Sequence, residues 1–198
     1  MKIAIFGGSF NPIHNAHIKL AQRFVDEIGL DLVYFVPTHI TPLKDNRGII
    51  SSQQRLDMCK IALKDNESFL VSDVEIKREG MSYSCDTIAY FKSVHPDDEL
   101  YFIMGADMFL TLEKWHNFEY IFENVTILTA PRDGYDYDDL CKVSSDYQKY
   151  SCKAYITKEY IEDLSSTMLR DMIKENKDIS EYIDDDVFAY INENNIYR

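Results

Sequence analysis

The chain lacks the features that mark secreted, membrane-spanning or nucleic-acid-binding proteins. It has four cysteines in 198 residues and no Cys-x-x-Cys pair, which indicates reduced thiols rather than a disulfide framework or a structural zinc site. No apolar run approaches the ~20 residues of a membrane helix, and the N-terminus does not resemble a signal peptide. The net charge of −13 argues against nucleic acid or an anionic membrane as a partner. We therefore expect a cytoplasmic protein.

The composition that remains is that of an ordinary globular protein, with 45% hydrophobic and 28% charged residues, and we expect one domain over residues 1–198. Apolar runs that predict buried strands lie at residues 2–6, 32–36, 100–104 and 125–129. Their alternation with helical patterns predicts an α/β fold, a Rossmann-like doubly wound parallel sheet with a small C-terminal helical part. We also predict a strand at 69–76, helices beginning at 52 and spanning 108–112 and 182–197, and an irregular surface loop at 135–150.

The residues after the first strand suit an anion. Gly7 and Gly8 let backbone amides approach a ligand closely, and the helix predicted after them offers free N–H groups and a favourable dipole. His14 and His17 are placed in the first turn of that helix, on one face, so both imidazoles can point at one bound phosphate. The same spacing suits two zinc ligands, and a glycine pair can serve a turn alone. The residues by themselves leave these alternatives open.

A second anion site is predicted near the C-terminus, at residues 165–170. Ser-Ser-Thr is a cluster of helix-capping residues, and Arg170 lies four residues after Ser166 on the same helix face. Hydroxyls, free amides and a guanidinium at one helix start favour a phosphate, whereas plain capping is sufficient to explain Ser165. Because the chain is so acidic, such local groupings of donors are informative.

Three single residues stand out by their surroundings. Asp107 follows a predicted strand, where a carboxylate can accept from a ribose hydroxyl, help hold Mg²⁺ or cap the next helix. Trp115, the only tryptophan, lies among polar residues, which suits a platform for a ligand ring better than a core position. Lys44 is a cation in a proline-bounded loop, where a solvated side chain is the commoner outcome.

The Gly-Gly-Ser-Phe-Asn-Pro-Ile-His stretch at residues 7–14 resembles the signature of the nucleotidyltransferase superfamily with the His-x-Gly-His motif, and looks like its nicotinate-nucleotide adenylyltransferase branch. Three further strings match in family order, with Ser84 in place of the family's threonine as an exception in the first. They are Glu-x-x-Arg-x-Gly-x-Ser-Tyr-Ser-x-Asp-Thr at 75–87, Gly-Ala-Asp followed by Trp at 105–115, and Ser-Ser-Thr-x-x-Arg at 165–170.

Some positions depart from the family pattern. Ala16 stands in place of the motif's glycine, Asn11 where aspartate is frequent, and Leu43 in place of a histidine. Arg55 matches an arginine of the family pattern Ser-x-x-x-Arg and is expected to be structural.

The resemblance implies transfer of an adenylyl group from ATP to nicotinate mononucleotide, with Mg²⁺ as cofactor bridging phosphate oxygens and no metal ligand assigned in the protein. The implied catalytic residues are His14, His17, Lys44 and Arg170. The implied ATP-binding residues are Gly7, Gly8, Ser9, Phe10, His14, His17, Gly105, Asp107, Ser166, Thr167 and Arg170. The implied residues for nicotinate mononucleotide are Ser9, Lys44, Tyr83, Thr87, Trp115 and Arg132.

Two other functions stay open on the sequence. One is a related adenylyltransferase acting on nicotinamide mononucleotide or phosphopantetheine. The other is a non-catalytic nucleotide-binding module. The departures from the family pattern at Ala16 and Leu43 are the reason for considering it. In each case the expected partners are small molecules, and the sequence is compatible with a homo-oligomer.

Overall fold

The computed structural model describes residues 1–42, 48–132, 134–162 and 164–198. Its centre is a parallel sheet, and the strands are β1 Lys2–Gly8, β2 Leu32–Pro37, β3 Phe69–Val71, β4 Glu99–Ile103, β5 Thr126–Thr129 and β6 Lys153–Ile156. They lie in the order β3-β2-β1-β4-β5-β6. The chain builds outward from β1 to β3, then returns beside β1 and builds outward the other way. The predicted Rossmann-like fold is confirmed, and its topological switch point lies between β1 and β4.

Helices cover both faces of this sheet. They are α1 Asn15–Phe24, α2 Ser52–Leu63, α3 Val74–Arg78, α4 Ser84–Val94, α5 Ala106–Phe109, α6 Phe118–Asn124, α7 Tyr137–Tyr147, α8 Ser166–Lys174 and α9 Asp185–Glu193. Because side chains alternate along a strand, Ala4 and Phe6 of β1 enter one core with α1, α2, α8 and α9. Ile3 and Ile5 enter the other core, with α4, α6 and α7. The all-apolar strands are thus explained by burial on both sides.

The strand predicted at residues 69–76 is wrong beyond its first part. β3 ends at Val71, and the chain turns into the short helix α3. The helix turns Glu75 inward, where its carboxylate accepts a hydrogen bond from the buried Thr87 hydroxyl. The apolar and polar alternation of this segment does not report this buried contact, which the helix makes with a residue 12 positions further along the chain.

The irregular loop predicted at residues 135–150 is also wrong. Residues 137–147 form α7, in which the side chain of Asp136 caps the helix by accepting from the Asp139 amide at 2.9 Å. Leu140 and Tyr147 are buried one above the other on a single face, while the acidic residues face solvent. The helix packs on β6, a strand that the sequence reading did not predict.

Smaller differences concern element ends. The helix expected at 108–112 begins earlier, as α5, and a 3₁₀ turn Leu112–Lys114 follows it. The closing helix expected at 182–197 is the shorter α9, whose start is capped by Asp184. All four cysteines are free. In the described part of the chain, no helix has the length and apolarity needed to cross a membrane.

Candidate functional site

Two cavities of about 410 Å³ each open side by side at the carboxyl ends of β1 and β4. We call the first the histidine cavity, because His14 and His17 line it, and the second the tryptophan cavity, because Trp115 lines it. The residues common to both walls are Gly7, Gly8, Ser9, Gly105 and Met108. Ligands in the two cavities would therefore meet over the glycine-rich end of β1, at the switch point of the sheet.

The two histidines form a stacked pair at the start of α1. His14 is the residue that precedes the helix, so the prediction that both lie in its first turn is wrong for His14. Its backbone N–H donates to Nδ1 of His17 at 3.2 Å, and the ring centroids are 3.7 Å apart. Because Nδ1 of His17 is an acceptor, a neutral His17 ring carries its hydrogen on Nε2. The pairing thus sets His17 as a hydrogen-bond donor.

Burial keeps His14 neutral. The residue is 4% exposed, and within the described ranges its Nδ1 is buried without a hydrogen-bond partner. Burial, with the nearby positive charge of Arg132 as the second cause, lowers the pKa of His14 to about 4. At neutral pH this imidazole is therefore uncharged.

This lowered pKa predicts an acid-sensitive stability. The unfolded chain takes up a proton near pH 6.5, before the folded chain does near 4, so the free energy of unfolding falls as pH falls through this interval. At pH 4.5 the loss from His14 should be roughly 2–3 kcal/mol relative to pH 7. Urea unfolding of wild type and His14→Asn at both pH values measures it, since asparagine also caps helices well. Equal losses in the two proteins would disprove the assignment.

The start of α8 forms another part of the wall of the histidine cavity. The Arg170 guanidinium donates to the Asn11 carbonyl at 2.9 Å and to the Thr167 hydroxyl at 3.0 Å. The Ser166 hydroxyl donates to the Pro12 carbonyl at 2.8 Å. These bonds fasten a helix from the C-terminal third of the chain onto the loop after β1. The structure therefore brings His14, His17 and Arg170 to the walls of one cavity.

A buried arginine supports the loops beneath both cavities. Arg55 of α2 is 1% exposed and donates to the carbonyls of Ser9 at 2.7 Å and Thr38 at 2.6 Å. Burial lowers its pKa, although the group remains a cation at neutral pH. Its bonds join the loop after β1 to the loop after β2. Arg55 is thus structural, and it shapes the cleft from below.

The end of β4 contributes a carboxylate to the histidine cavity. Asp107, in the first turn of α5, lines this cavity. A Cβ added at Gly105 would lie 2.9 Å from the Asp107 Oδ1 atom, so the glycine leaves room for that carboxylate. In the described ranges, no group of three or more His, Cys, Asp or Glu side chains could hold a metal ion. Asp107 fits an ion whose other ligands are phosphate oxygens and water.

The tryptophan cavity combines aromatic rings with a few polar groups. Trp115 is half-buried, and its indole Nε1 is a buried donor without a partner in the part of the chain that is described. The rings of Tyr83 and His116 lie with centroids 4.5 Å apart, and Lys114 adds a cation to the same wall. The sequence reading missed Lys114 and His116. Their position on either side of Trp115 was the available signal.

Glu75 is a third residue that the sequence reading missed, although it opens the family string at residues 75–87. It lines the tryptophan cavity, is 4% exposed, and burial raises its pKa. The hydroxyl of Thr87 donates to its carboxylate and receives a bond of 3.2 Å from Arg78. Thr87 itself is 1% exposed. Its hydroxyl is therefore used behind the cavity wall, where it holds Glu75.

The outcome for Arg132 and Lys44 differs from that for the other predicted residues. Arg132 was assigned to the nicotinate nucleotide, but the structure places it on the wall of the histidine cavity, near His14. Lys44, predicted as a catalytic cation, lies outside the described residues. The histidine cavity is lined by Gly7, Gly8, Ser9, Phe10, Gly105, Asp107, Ser166 and Thr167, all predicted for ATP, and the tryptophan cavity by Ser9, Tyr83 and Trp115, predicted for nicotinate mononucleotide.

Comparison with known proteins identifies the class to which this fold and cleft belong. The family model described as cytidylyltransferase-like matches residues 5–172, and the chain belongs to this family. It is 35% identical over 197 residues to the nicotinate-nucleotide adenylyltransferase of Bacillus subtilis, which covers 100% of this chain and 98% of the relative. A protein of Clostridium acetobutylicum, described as a probable nicotinate-nucleotide adenylyltransferase, is 34% identical over 206 residues, covering 99% and 98%. Within the family, the chain therefore groups with the nicotinate-nucleotide adenylyltransferases.

Solved structures of similar fold include a protein with an equivalent name. The structure of the Plasmodium falciparum nicotinic acid mononucleotide adenylyltransferase complexed with NaAD is similar with a TM-score of 0.78. The sequence identity is 21%, and the similarity covers 99% of this chain and 97% of that one. A second structure of that protein, complexed with APC, gives the same TM-score of 0.78.

Proposed function

We propose that the protein transfers the adenylyl group of ATP to nicotinate mononucleotide, giving deamido-NAD and pyrophosphate. The observation that carries the proposal is the pair of adjoining cavities. The histidine cavity gathers donors for a triphosphate, the tryptophan cavity offers a platform for an aromatic ring, and the two share the wall formed by Gly7, Gly8 and Ser9. The function of the relatives described above agrees with this arrangement.

The chemistry accounts for the kind of residues present. An oxygen of the mononucleotide's phosphate forms a bond to the α-phosphorus of ATP, while the bond from that phosphorus to the oxygen bridging to the β-phosphate breaks and pyrophosphate leaves. The attacking phosphate is already anionic, so the reaction requires no strong protein base. Catalysis then depends on holding the two phosphates in line and on stabilising the charge that develops.

Each group on the wall of the histidine cavity has a place in this scheme. Nε2–H of His17 donates to an oxygen near the α-phosphate. Neutral His14 holds the His17 ring in place through its backbone N–H and through ring stacking. Arg170, Ser166 and Thr167 contact the β- and γ-phosphates at the start of α8, where the helix dipole favours anions. We assign Arg132 to the triphosphate as well, because it lies with His14. Lys44 stays a prediction for the same phosphates.

Mg²⁺ is proposed as the cofactor, bound with ATP. It would supply neutralisation of the charge on the phosphate oxygens, and Asp107 is the residue placed to meet it. We also propose the cytoplasm as the compartment, since all four cysteines are free.

The nicotinate nucleotide is assigned to the tryptophan cavity. Its ring stacks on Trp115, and its carboxylate meets polar groups at the start of α4, near Tyr83. Thr87 contributes by holding Glu75 rather than by touching the ligand. The phosphate end of this nucleotide then lies toward Ser9 and the glycines, next to the triphosphate.

The stacking role of Trp115 predicts a selective effect of its replacement. Trp115→Leu should raise KM for nicotinate mononucleotide roughly 3- to 10-fold, the size expected for losing one aromatic pair. KM for ATP should change little, because Trp115 does not line the histidine cavity. Steady-state kinetics with each substrate varied in turn measures both, and Trp115→Phe should recover part of the loss. A rise confined to KM for ATP would contradict the assignment.

The proposed function is tested by measuring pyrophosphate release from ATP and Mg²⁺ with three acceptors in parallel. These are nicotinate mononucleotide, nicotinamide mononucleotide and phosphopantetheine. Nicotinate mononucleotide should give the highest kcat/KM, with one deamido-NAD formed for each pyrophosphate. Faster turnover of either other acceptor would replace the proposed substrate. Binding of ATP without release for any acceptor would indicate a non-catalytic module.

A further inference from the structure

A hydrogen-bonded junction behind the histidine cavity is centred on Asn11. The residue is 2% exposed, lines that cavity and lies in the loop between β1 and α1. Its backbone carbonyl accepts the bond of 2.9 Å from Arg170 described above. This carbonyl, together with the Thr167 hydroxyl, therefore holds the guanidinium. Whatever positions Asn11 thus helps to position one cation of the proposed triphosphate site.

The side chain of Asn11 is held mainly by a residue from the other end of the chain. The Tyr197 hydroxyl, 186 positions further on, donates to Asn11 Oδ1 at 2.8 Å. The remaining side-chain bonds are longer, at 3.4 Å from the Ile50 amide and 3.4 Å to the Gly48 carbonyl. The shortest bond to the amide thus comes from Tyr197. The orientation of the amide is set by the other two partners, since the Ile50 N–H can only donate and the Gly48 carbonyl can only accept, and in that orientation the Tyr197 hydroxyl donates to the oxygen.

We propose that Tyr197 is a positioning residue for ATP, which acts through Asn11 on Arg170. The segment that follows α9 thereby joins the triphosphate site although Tyr197 does not line the cavity. This inference rests on the proposed function for the identity of the ligand. It adds a role for a residue that the chemistry of the reaction alone does not indicate.

The surroundings of Tyr197 suit a permanent donor. Burial raises the pKa of its hydroxyl above the ordinary value of 10, so the proton is present throughout the working pH range. The two cations nearby, Arg170 and Arg55, act in the opposite direction but are the smaller influence. The hydroxyl is therefore a neutral donor, which holds Asn11 without adding charge to the site.

The test is Tyr197→Phe, which removes one hydroxyl and keeps the ring. We expect the affinity for a non-hydrolysable ATP analogue, measured by calorimetry, to fall roughly 3- to 10-fold, the size of one net hydrogen bond. KM for ATP should rise by the same factor, and KM for nicotinate mononucleotide should stay within error. This split separates a positioning role from a general loss of structure, which would affect both substrates.

The matched control is Tyr190→Phe. Tyr190 lies on α9 and bonds Asp57 at 3.4 Å, on a surface away from both cavities. Its replacement should leave both KM values unchanged. Urea unfolding of both variants establishes that they are folded under the assay conditions. If the two variants bind the ATP analogue equally, the proposal is overturned.

A double-mutant cycle tests whether the effect passes through Asn11. In an Asn11→Ala background, adding Tyr197→Phe should produce no further loss of affinity, because the acceptor is already gone. An undiminished further loss would show that Tyr197 acts by another route and would overturn the proposal. The binding experiment needs no turnover. It can therefore succeed even if the acceptor assay described under the proposed function fails.

Discussion

Replacing His17 with alanine is expected to lower kcat/KM for adenylyl transfer roughly 10²- to 10³-fold, the cost of about 2.7–4 kcal/mol seen when one preorganised donor is removed. The His14 amide holds Nδ1 of His17, so the donor at Nε2 is oriented before the ligand arrives. Alanine removes that donor and also releases the stacked partner ring. The loss should appear mainly in kcat, since charge accumulates on the phosphate oxygens in the transition state.

The control for this experiment is His95→Ala. His95 follows α4, faces Asp98 at 3.2 Å, and lines neither cavity. Its replacement should leave kcat/KM within about twofold of wild type, in line with surface substitutions generally. Near-normal turnover of a folded His17→Ala protein would remove the imidazole from the mechanism.

Replacing Arg55 with methionine is expected to reduce the free energy of unfolding by about 3–6 kcal/mol, because two hydrogen bonds from a charged donor, each contributing about 1.5–3 kcal/mol, are lost from partly buried carbonyls. Methionine fills much of the space of the arginine stem, so the effect reports the lost hydrogen bonds to Ser9 and Thr38 rather than a cavity. Activity should fall as well at assay temperature, since those two carbonyls belong to the loops of the cleft.

Arg23→Met provides the matched comparison. Arg23 pairs with Glu27 at 3.8 Å and with Glu159, on a side-chain surface that is 35% exposed. Exposed ion pairs contribute about 0–1 kcal/mol, so urea unfolding should show a far smaller loss for this variant. Equal losses in the two variants would mean that the buried guanidinium is not what holds the two loops together.

The sheet could be predicted because its strands are apolar on both faces. Residues 2–6, 32–36, 100–104 and 125–129 all became strands, with ends shifted by one or two positions. β6 was not predicted because Lys153 and Tyr155 are exposed and alternate with the partly buried residues, so the strand contains no apolar run. α7 escaped because its acidic residues dominate the composition, while the spacing of Leu140 and Tyr147 carries the helical signal.

The candidate site was predictable to the extent that one topological rule applies. Parallel strands end at a common edge, so groups following β1 and β4 had to lie together. The contribution of α8 required the resemblance to a family, since nothing local indicates that residues 165–170 return to that edge. Thr87 and Arg132 are examples of residues whose contacts could not be predicted from the sequence. Which cavity or which partner a side chain reaches depends on packing between distant elements.

The most direct test of the central claim is a crystal structure of the full chain with a non-hydrolysable ATP analogue and Mg²⁺. The account predicts one triphosphate in contact with His17 and Arg170 together, and an empty platform at Trp115 until nicotinate mononucleotide is added. A triphosphate bound against Trp115 and Tyr83, or one that touches the histidine pair but makes no contact with Arg170, would contradict it.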